Sequence, residues 1–370
     1  MKYYIIAGEA SGDLHASNLM KAIVQQDEKA EFRFWGGDLM QQQGGTMVKH
    51  YRDLAFMGFA EVLFNLRTIL GNIAFCKKDI VSWNPDVLVL VDYPGFNLRI
   101  AEFAHKKGFK VVYYISPQVW AWKRGRVKKI KKFVDRMLVI LPFEKEFYAR
   151  YGMEVDFTGH PLLDALNHEK YPPKQLFLKQ NNLPDKPVIA LLPGSRKQEV
   201  AKMLRIMSGV VPHFNNHQFI IAGVQSLGKD YYNRFLVNDA VKVIFNQTHN
   251  ILHFADAALV TSGTATLETA LIGTPEVVCY KGNRLSYEIA KRVIKVEYIS
   301  LVNLIMEKPV VKELIQHQLT IANLKTELDL ILNNKNNRQR ILSDYETLKA
   351  KLGQSGASEK AARIIYKLIS

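Results

Sequence analysis

The segment "VLVLVDYPGFN" (87–97) runs through five apolar residues to one carboxylate, Asp92, then a Pro94-Gly95 turn and a helix expected to start near Asn97. A carboxylate at the carboxyl end of a strand faces the ligand side of an open α/β sheet, where it can take a proton from an attacking hydroxyl. Its other use is to cap the turn through its own backbone. Base chemistry would also require enough burial to lift its pKa.

Two further turns suit an anion. In "LLPGSRKQEV" (191–200) an apolar strand meets a Pro-Gly turn and a helix expected to begin near Arg196. Free N–H groups there, with Gly194, Ser195 as cap and the forked cation Arg196, would hold a phosphate or pyrophosphate. A capped helix with a surface arginine is the plainer alternative. "LVTSGTATLETA" (259–270) repeats the arrangement: Ser262 or Thr264 can cap, and Gly263 permits close backbone approach. Thr264 and Glu268 are four apart, hence on one helical face, so Glu268 can reach ribose hydroxyls or simply face solvent. Neither turn is a Walker loop or G-x-G-x-x-G, which favours a nucleoside-diphosphate donor over NAD or NTPase chemistry.

At the other end of the chain, "IIAGEASGDLHA" (5–16) leaves a strand through Gly8 and Gly12, with Ser11 or Asp13 available as a helix cap. Against the two later turns it reads as the acceptor-side rim, with Glu9, Ser11, Gly12 and Asp13 toward sugar or head group. "ISPQVWAWKRGRVKKIKKFVDR" (115–136) places Ser116, Trp120 and Trp122 beside eight basic residues. Val127, Ile130, Val134 and Met137 recur at helical spacing, which would leave Lys128, Lys129, Lys131 and Lys132 for anionic head groups or for plain solvation. "MGFAEVLFNLRTILGNIAF" (57–75) is apolar enough either to form a buried helix or to dip into a bilayer. His15, His160 and the other histidines lack metal-ligand spacing, so no metal and no cofactor are expected.

These segments need strands to carry them. Apolar, β-rich runs alternate with helical patterns: "KYYIIAG", "FRFWG", "DVLVLVD", "KVVYYIS" and "RMLVIL", then "PVIALLP", "QFIIAG", "VKVIF", "AALVTSG" and "EVVCYKG". That alternation predicts an α/β protein with parallel sheets covered on both faces. Proline-rich polar sequence at 158–187 separates the two series, so two Rossmann-like domains facing a cleft are expected. A chain of 370 residues is long enough for two cores. From about Leu319 only helical patterns remain, and these would pack back across both domains.

Net charge +15 and a pI near 9.5 point to an anionic partner: phosphorylated substrate, membrane face or nucleic acid. Two cysteines, Cys76 and Cys279, offer no disulfide framework and fit a reducing cytoplasm. No run approaches the ~20 apolar residues of a spanning helix.

Taken in order, "AGEASGDLH", "DLAFMGFAEVL", "VDYPGFN", "SPQVWAWKRGRV", "LPFEKEFY", "GHPLLD", "LLPGSR", "SGTATLE" and "YISLVNLI" resemble the lipid-A-disaccharide synthase family across essentially the whole chain. The resemblance implies a B-type glycosyltransferase fold (GT-B): residues 1–160 as acceptor and membrane-facing domain, 161–345 as UDP-sugar domain, and 346–370 as helices returning to the first. It implies an inverting transfer from UDP-2,3-diacylglucosamine to 2,3-diacylglucosamine 1-phosphate, giving a β-1,6 disaccharide and UDP in lipopolysaccharide synthesis. Asp92 matches the family's proposed catalytic aspartate, with Asn303 expected to line the donor site. Peripheral contact with the cytoplasmic face of the inner membrane would reconcile the charge with the apolar stretch. Exchange of C-terminal elements within the family makes a homodimer an open expectation.

Two departures stand out: Gly95 occupies a position where many members carry an acid, and "SLVN" stands where a proline commonly precedes the asparagine. The rivals are another UDP-sugar glycosyltransferase or a UDP-N-acetylglucosamine epimerase of the same fold. A nucleic-acid binder using the lysine-rich helix would leave both phosphate-type turns and Asp92 unexplained, so no nucleic-acid partner is expected.

Overall fold

The computed structural model describes residues 1–54, 66–121, 124–167, 169–236, 241–283, 287 and 297–370. Trp122 and the first part of the apolar stretch at 57–75, up to residue 65, lie outside them. The chain divides into two compact units, Met1–Ala165 with Leu352–Ser370, and Leu166–Lys351.

The first unit is built on a parallel sheet of seven strands: β1 (Lys2–Ala7), β2 (Glu31–Gly36), β3 (Thr46–His50), β4 (Val87–Val91), β5 (Lys110–Tyr114), β6 (Arg136–Val139) and β7 (Asp156–Phe157). Their spatial order is β3-β2-β1-β4-β5-β6-β7. The second unit carries six: β8 (Val188–Leu192), β9 (Gln218–Gly223), β10 (Val241–Phe245), β11 (Ala257–Thr261), β12 (Glu276–Tyr280) and β13 (Lys312–Ile315), ordered β10-β9-β8-β11-β12-β13. Both are parallel throughout. The fold is therefore the expected pair of Rossmann-like α/β domains.

All ten apolar runs form strands. The three unanticipated strands, β3, β7 and β13, are sheet edges, and an edge strand needs no continuous apolar sequence. Interior strands β1, β4, β8 and β11 are buried along nearly their whole length, which fixes the height at which each chain leaves its sheet.

Both sheets reverse direction at one place. In the first, strands run outward from β1 toward β3 on one side and from β4 toward β7 on the other; in the second, the pair is β8 and β11. Such a switch point leaves a crevice beyond the strand ends, because the two following connections diverge to opposite faces. Glu9 follows β1 and Asp92 follows β4; Ser195 follows β8 and Ser262 follows β11.

One local expectation, for the basic helix, is corrected. The basic helix is shorter, Arg126–Phe133, burying Val127, Ile130 and Phe133. Val134 is already extended and Met137 lies in β6, with Asp135 between them tied to β5 by accepting the Val111 N–H at 2.8 Å. Lys128, Lys129, Lys131 and Lys132 are exposed. Of the C-terminal helices, Ile321–Asn333 belongs to the second unit, as does Lys335–Leu352 up to Lys351. The last, Ala357–Ile369, packs in the first unit against the Ala10–Gln26 helix. Asp164 of the "GHPLLD" segment anchors it, accepting N–H bonds from Gly356, Ala357 and Ser358 at 2.6, 3.3 and 3.0 Å.

Candidate functional site

In the second unit the two anion-type turns line one cavity of about 440 Å³, which gathers Gly194, Ser195, Arg196, Ser262, Gly263, Thr264 and Glu268. They meet because β8 and β11 are hydrogen-bonded neighbours, in register from Ile189 opposite Ala257 to Leu192 opposite Val260. Gly194 has φ 104°, and a Cβ there would fall 2.2 Å from a Glu199 carboxyl oxygen, so only glycine fits. Arg196, not Ser195, takes the N-cap of the Lys197–Met207 helix, and its side chain is exposed at the rim. The Ser195 N–H donates to Glu199 at 3.2 Å. Glu199 stands three residues after that N-cap, a capping-box spacing visible in the sequence but not singled out there.

On the β11 side, Gly263 is the N-cap of the Thr264–Ile272 helix. Neither Ser262 nor Thr264 caps: the Ser262 hydroxyl donates to the Ile299 carbonyl at 3.0 Å, tying the turn to the 297–303 segment. Glu268 faces the cavity one turn along the helix, 3.9 Å from His249 Nε2, whose Nδ1 lies 2.8 Å from Glu169. The nearby Glu268 carboxylate is the largest influence on His249 and, with Glu169 and against desolvation, raises its pKa to about 8. Sequence reading missed His249, for it has no spacing relation to either acid.

Asn303 does not join this cavity. Its buried amide donates to the Val311 carbonyl and to Glu313, both at 2.9 Å, and accepts the Val311 N–H at 3.0 Å, bracing the start of β13.

In the first unit Asp92 leaves β4 level with Gly8, since Ala7 pairs with Val91. Asp92 and Tyr93 both have left-handed backbone, φ 42° and 46°, a strained pair that must be held by its surroundings. The Asp92 N–H donates to the Tyr114 carbonyl, while the Asp92 carbonyl accepts the Tyr113 hydroxyl at 2.5 Å and the Asn97 amide at 2.8 Å. Tyr93 is the N-cap, so the helix begins at Pro94 rather than near Asn97, and Asp92 does not cap it. The Tyr93 ring lies against Gly8, where a Cβ would fall 2.4 Å from ring carbons. Burial, then the Glu9 carboxylate, push the Asp92 pKa up to about 7, with the Tyr93 N–H pulling it down. A carboxyl group so tuned holds a useful fraction of base at neutral pH.

The residues expected on the acceptor side separate. Glu9 is the N-cap of the Ala10–Gln26 helix without a side-chain cap bond, partly exposed, and Ser11 is exposed. Gly12 packs tightly on Ala7. Asp13 is buried and spends its oxygens on the N–H groups of Gly37, Leu39 and Met40 at 2.7, 3.1 and 3.1 Å, capping the Asp38–Gln41 helix instead of its own. Ser116 and Trp120 are buried: the Ser116 hydroxyl meets the Tyr148 hydroxyl at 2.8 Å, and Trp120 stacks edge-on against Phe143. Beneath them lies buried Glu144, accepting the Ile140 and Leu141 N–H groups, its pKa raised by burial to about 7. Gly95 has open space around it, so the absent side chain leaves no cavity behind. Among the described residues no group of three or more His, Cys, Asp or Glu side chains converges as a metal site would.

With this geometry in place, comparison decides the family. The sequence model of lipid-A-disaccharide synthetase matches residues 3–367. The chain belongs to the lipid-A-disaccharide synthetase family. Its lipid-A-disaccharide synthase relatives include that of Syntrophus aciditrophicus (strain SB), 40% identical over 99% of this chain and 97% of the relative. That of Coxiella burnetii (strain CbuG_Q212) is 38% identical over 99% and 98%. Among solved structures, the glycotransferase of kitacinnamycin aligns over 100% of this chain and 99% of that one, with TM-score 0.69 and 12% identity. The UDP-GlcNAc 2-epimerase of Neisseria meningitidis aligns with TM-score 0.66 and 13% identity over 99% and 100%. These structural likenesses establish the fold, GT-B, shared by glycosyltransferases and epimerases. Family membership decides between those chemistries: the enzyme is a glycosyltransferase of lipid A biosynthesis.

Proposed function

We propose that the second unit binds UDP-2,3-diacylglucosamine and that Asp92 deprotonates the 6-hydroxyl of 2,3-diacylglucosamine 1-phosphate. The hydroxyl oxygen attacks the anomeric carbon from the face opposite UDP, forming the β-1,6 bond with inversion as the C–O bond to the diphosphate breaks. The observation that carries the donor half is the cavity at the β8/β11 switch point, where two helix starts and Arg196 surround space for a diphosphate. Arg196 and the helix N-termini stabilise the negative charge that develops on departing UDP, while Glu268 takes ribose hydroxyls, held in place by His249. A solved relative in fold, the Neisseria meningitidis epimerase, is described as bound to UDP-GlcNAc, which supports a nucleotide-sugar reading of this cavity.

On the acceptor side Glu9 keeps Asp92 partly protonated until substrate binds. Incubating the purified protein with both lipids should yield disaccharide 1-phosphate and UDP by mass spectrometry. Interconversion of UDP-N-acetylglucosamine epimers without disaccharide would instead support the epimerase reading.

We also propose contact with the cytoplasmic face of the inner membrane. Among the described residues no helix is long and apolar enough to cross a bilayer. The Leu66–Trp83 helix nevertheless exposes Leu70, Phe75 and Val81 at 51, 49 and 49% together with Lys78, on a chain of net charge +15. Flotation with anionic vesicles that weakens as salt rises is the expected result; no flotation at low salt would refute it.

A further inference from the structure

The second unit holds another cavity, about 310 Å³, at the amino ends of β12 and β13 and so on the opposite edge of the sheet from the donor turns. Glu276, the first residue of β12, lines it and is fully buried. Neither of its carboxyl oxygens has a hydrogen-bond partner among the described residues. An acceptor buried without a donor is costly, and native proteins rarely leave one so.

The groups lining the cavity do not supply that donor, and the buried Tyr345 hydroxyl near Glu276 is likewise without a hydrogen-bond partner among the described residues. Glu313, the other acid deep in the cavity, already accepts N–H bonds from Ile299, Ser300 and the Asn303 amide at 3.0, 2.9 and 2.9 Å. Lys312 pairs with Glu327 at 4.0 Å. Arg340 reaches Asn337 at 3.0 Å, and Asp344 and the Val310 carbonyl at 3.4 Å. The rest of the wall combines an aliphatic patch, from Val310, Val311, Leu330, Ile331 and Ile341, with Pro309, Tyr298, Asn303 and Asn337. One unanswered carboxylate in a cavity that also carries an aliphatic patch is complementary to a molecule with N–H donors and positive charge at one end and hydrocarbon behind.

We propose that this cavity binds a small primary alkylammonium ion, its N–H donors on Glu276 and its chain along Val311, Leu330 and Ile331. The site is independent of the donor cavity. Burial, reinforced by Glu313, pushes the Glu276 carboxyl well above the ordinary range, which favours the protonated acid in the empty site. Charged and titratable groups around it are Lys312 and Glu313 of β13, Glu327, Arg340 and Tyr345 of the two following helices, and Tyr298. Binding converts the carboxylic acid to an ammonium carboxylate ion pair and sends one proton to solvent. Affinity should therefore rise about tenfold per pH unit until Glu276 ionises by itself.

The test uses the full chain with n-butylammonium chloride, against tetramethylammonium chloride at equal ionic strength as a cation without N–H donors. Tm should rise saturably with n-butylammonium alone, by about 3 °C at ten times its Kd, and titration calorimetry in two buffers should show release of one proton. Glu276→Gln should abolish both effects; Glu276→Met, which fills the same place with an apolar chain, serves if the first variant does not fold. UDP binding, measured in parallel, reports that each variant is folded. Equal responses to the two salts, or an undiminished response in a variant that still binds UDP, would overturn the proposal.

Discussion

Replacing Asp92 by asparagine separates its chemical cost from its structural one. Asparagine is nearly isosteric and tolerates left-handed backbone, so the Asp92–Tyr93 turn keeps its conformation. Losing a general base should lower kcat about 10²- to 10⁴-fold, with the Kd for UDP little changed because the donor turns lie in the other unit. Stability should move the opposite way. The folded-state pKa is raised from 3.8 to about 7, so the native protein holds this proton more tightly than the unfolded chain does. Ionisation therefore removes stability as pH rises from about 4 to about 7, reaching about 4 kcal/mol for a thousandfold difference in proton affinity. Asp92→Asn should match the parent below pH 4 and exceed it by up to that amount at pH 8, measured by urea unfolding across pH. In the parent, kcat/KM should climb from pH 6 to 8 with an inflection near 7. Near-normal turnover in the variant, or a flat profile through that window, would refute Asp92 as the base.

Four further outcomes follow from the same geometry. Glu9→Gln removes the second largest influence on Asp92 and should move the acid limb of the kcat/KM profile to lower pH. Arg196→Ala should raise the Kd for UDP about 10- to 100-fold by calorimetry, and lysine should restore only part because it lacks the forked geometry. His249 has a raised pKa, so its contribution, up to about 2 kcal/mol, is complete below pH 6.5 and lost as pH rises through about 8; His249→Ala should erase that pH dependence of unfolding. Gly8→Ala places a methyl against the Tyr93 ring and should cost about 1 to 3 kcal/mol in chemical unfolding, with reduced turnover through displacement of the Asp92 turn.

Asp92, Ser195, Arg196, Ser262 and Glu268 were legible because each follows or lies one turn past an apolar run, and such runs announce interior strands by composition alone. Asn303 illustrates the limit. The family resemblance suggested the donor site, yet its amide is consumed by Val311 and Glu313, and a residue's partners ten positions away leave no mark on its own neighbours. Asp13 is similar: an acid in the first turn of a helix normally serves that helix, but this one caps Asp38–Gln41. His249 and Asp164 meet their partners only through packing, across 80 and 192 residues.

By itself the sequence determined that there would be two parallel α/β units, where their strands end, and which turns carry the candidate anion-binding and acid–base residues. Those properties follow from local composition and from φ-permissive glycines. Only the tertiary structure decided that β1 adjoins β4 and β8 adjoins β11, bringing Glu9 to Asp92 and Arg196 to Gly263. Strand order is chosen by which faces bury together, and that choice sets the pKa of Asp92 and leaves the Glu276 carboxyl without a donor.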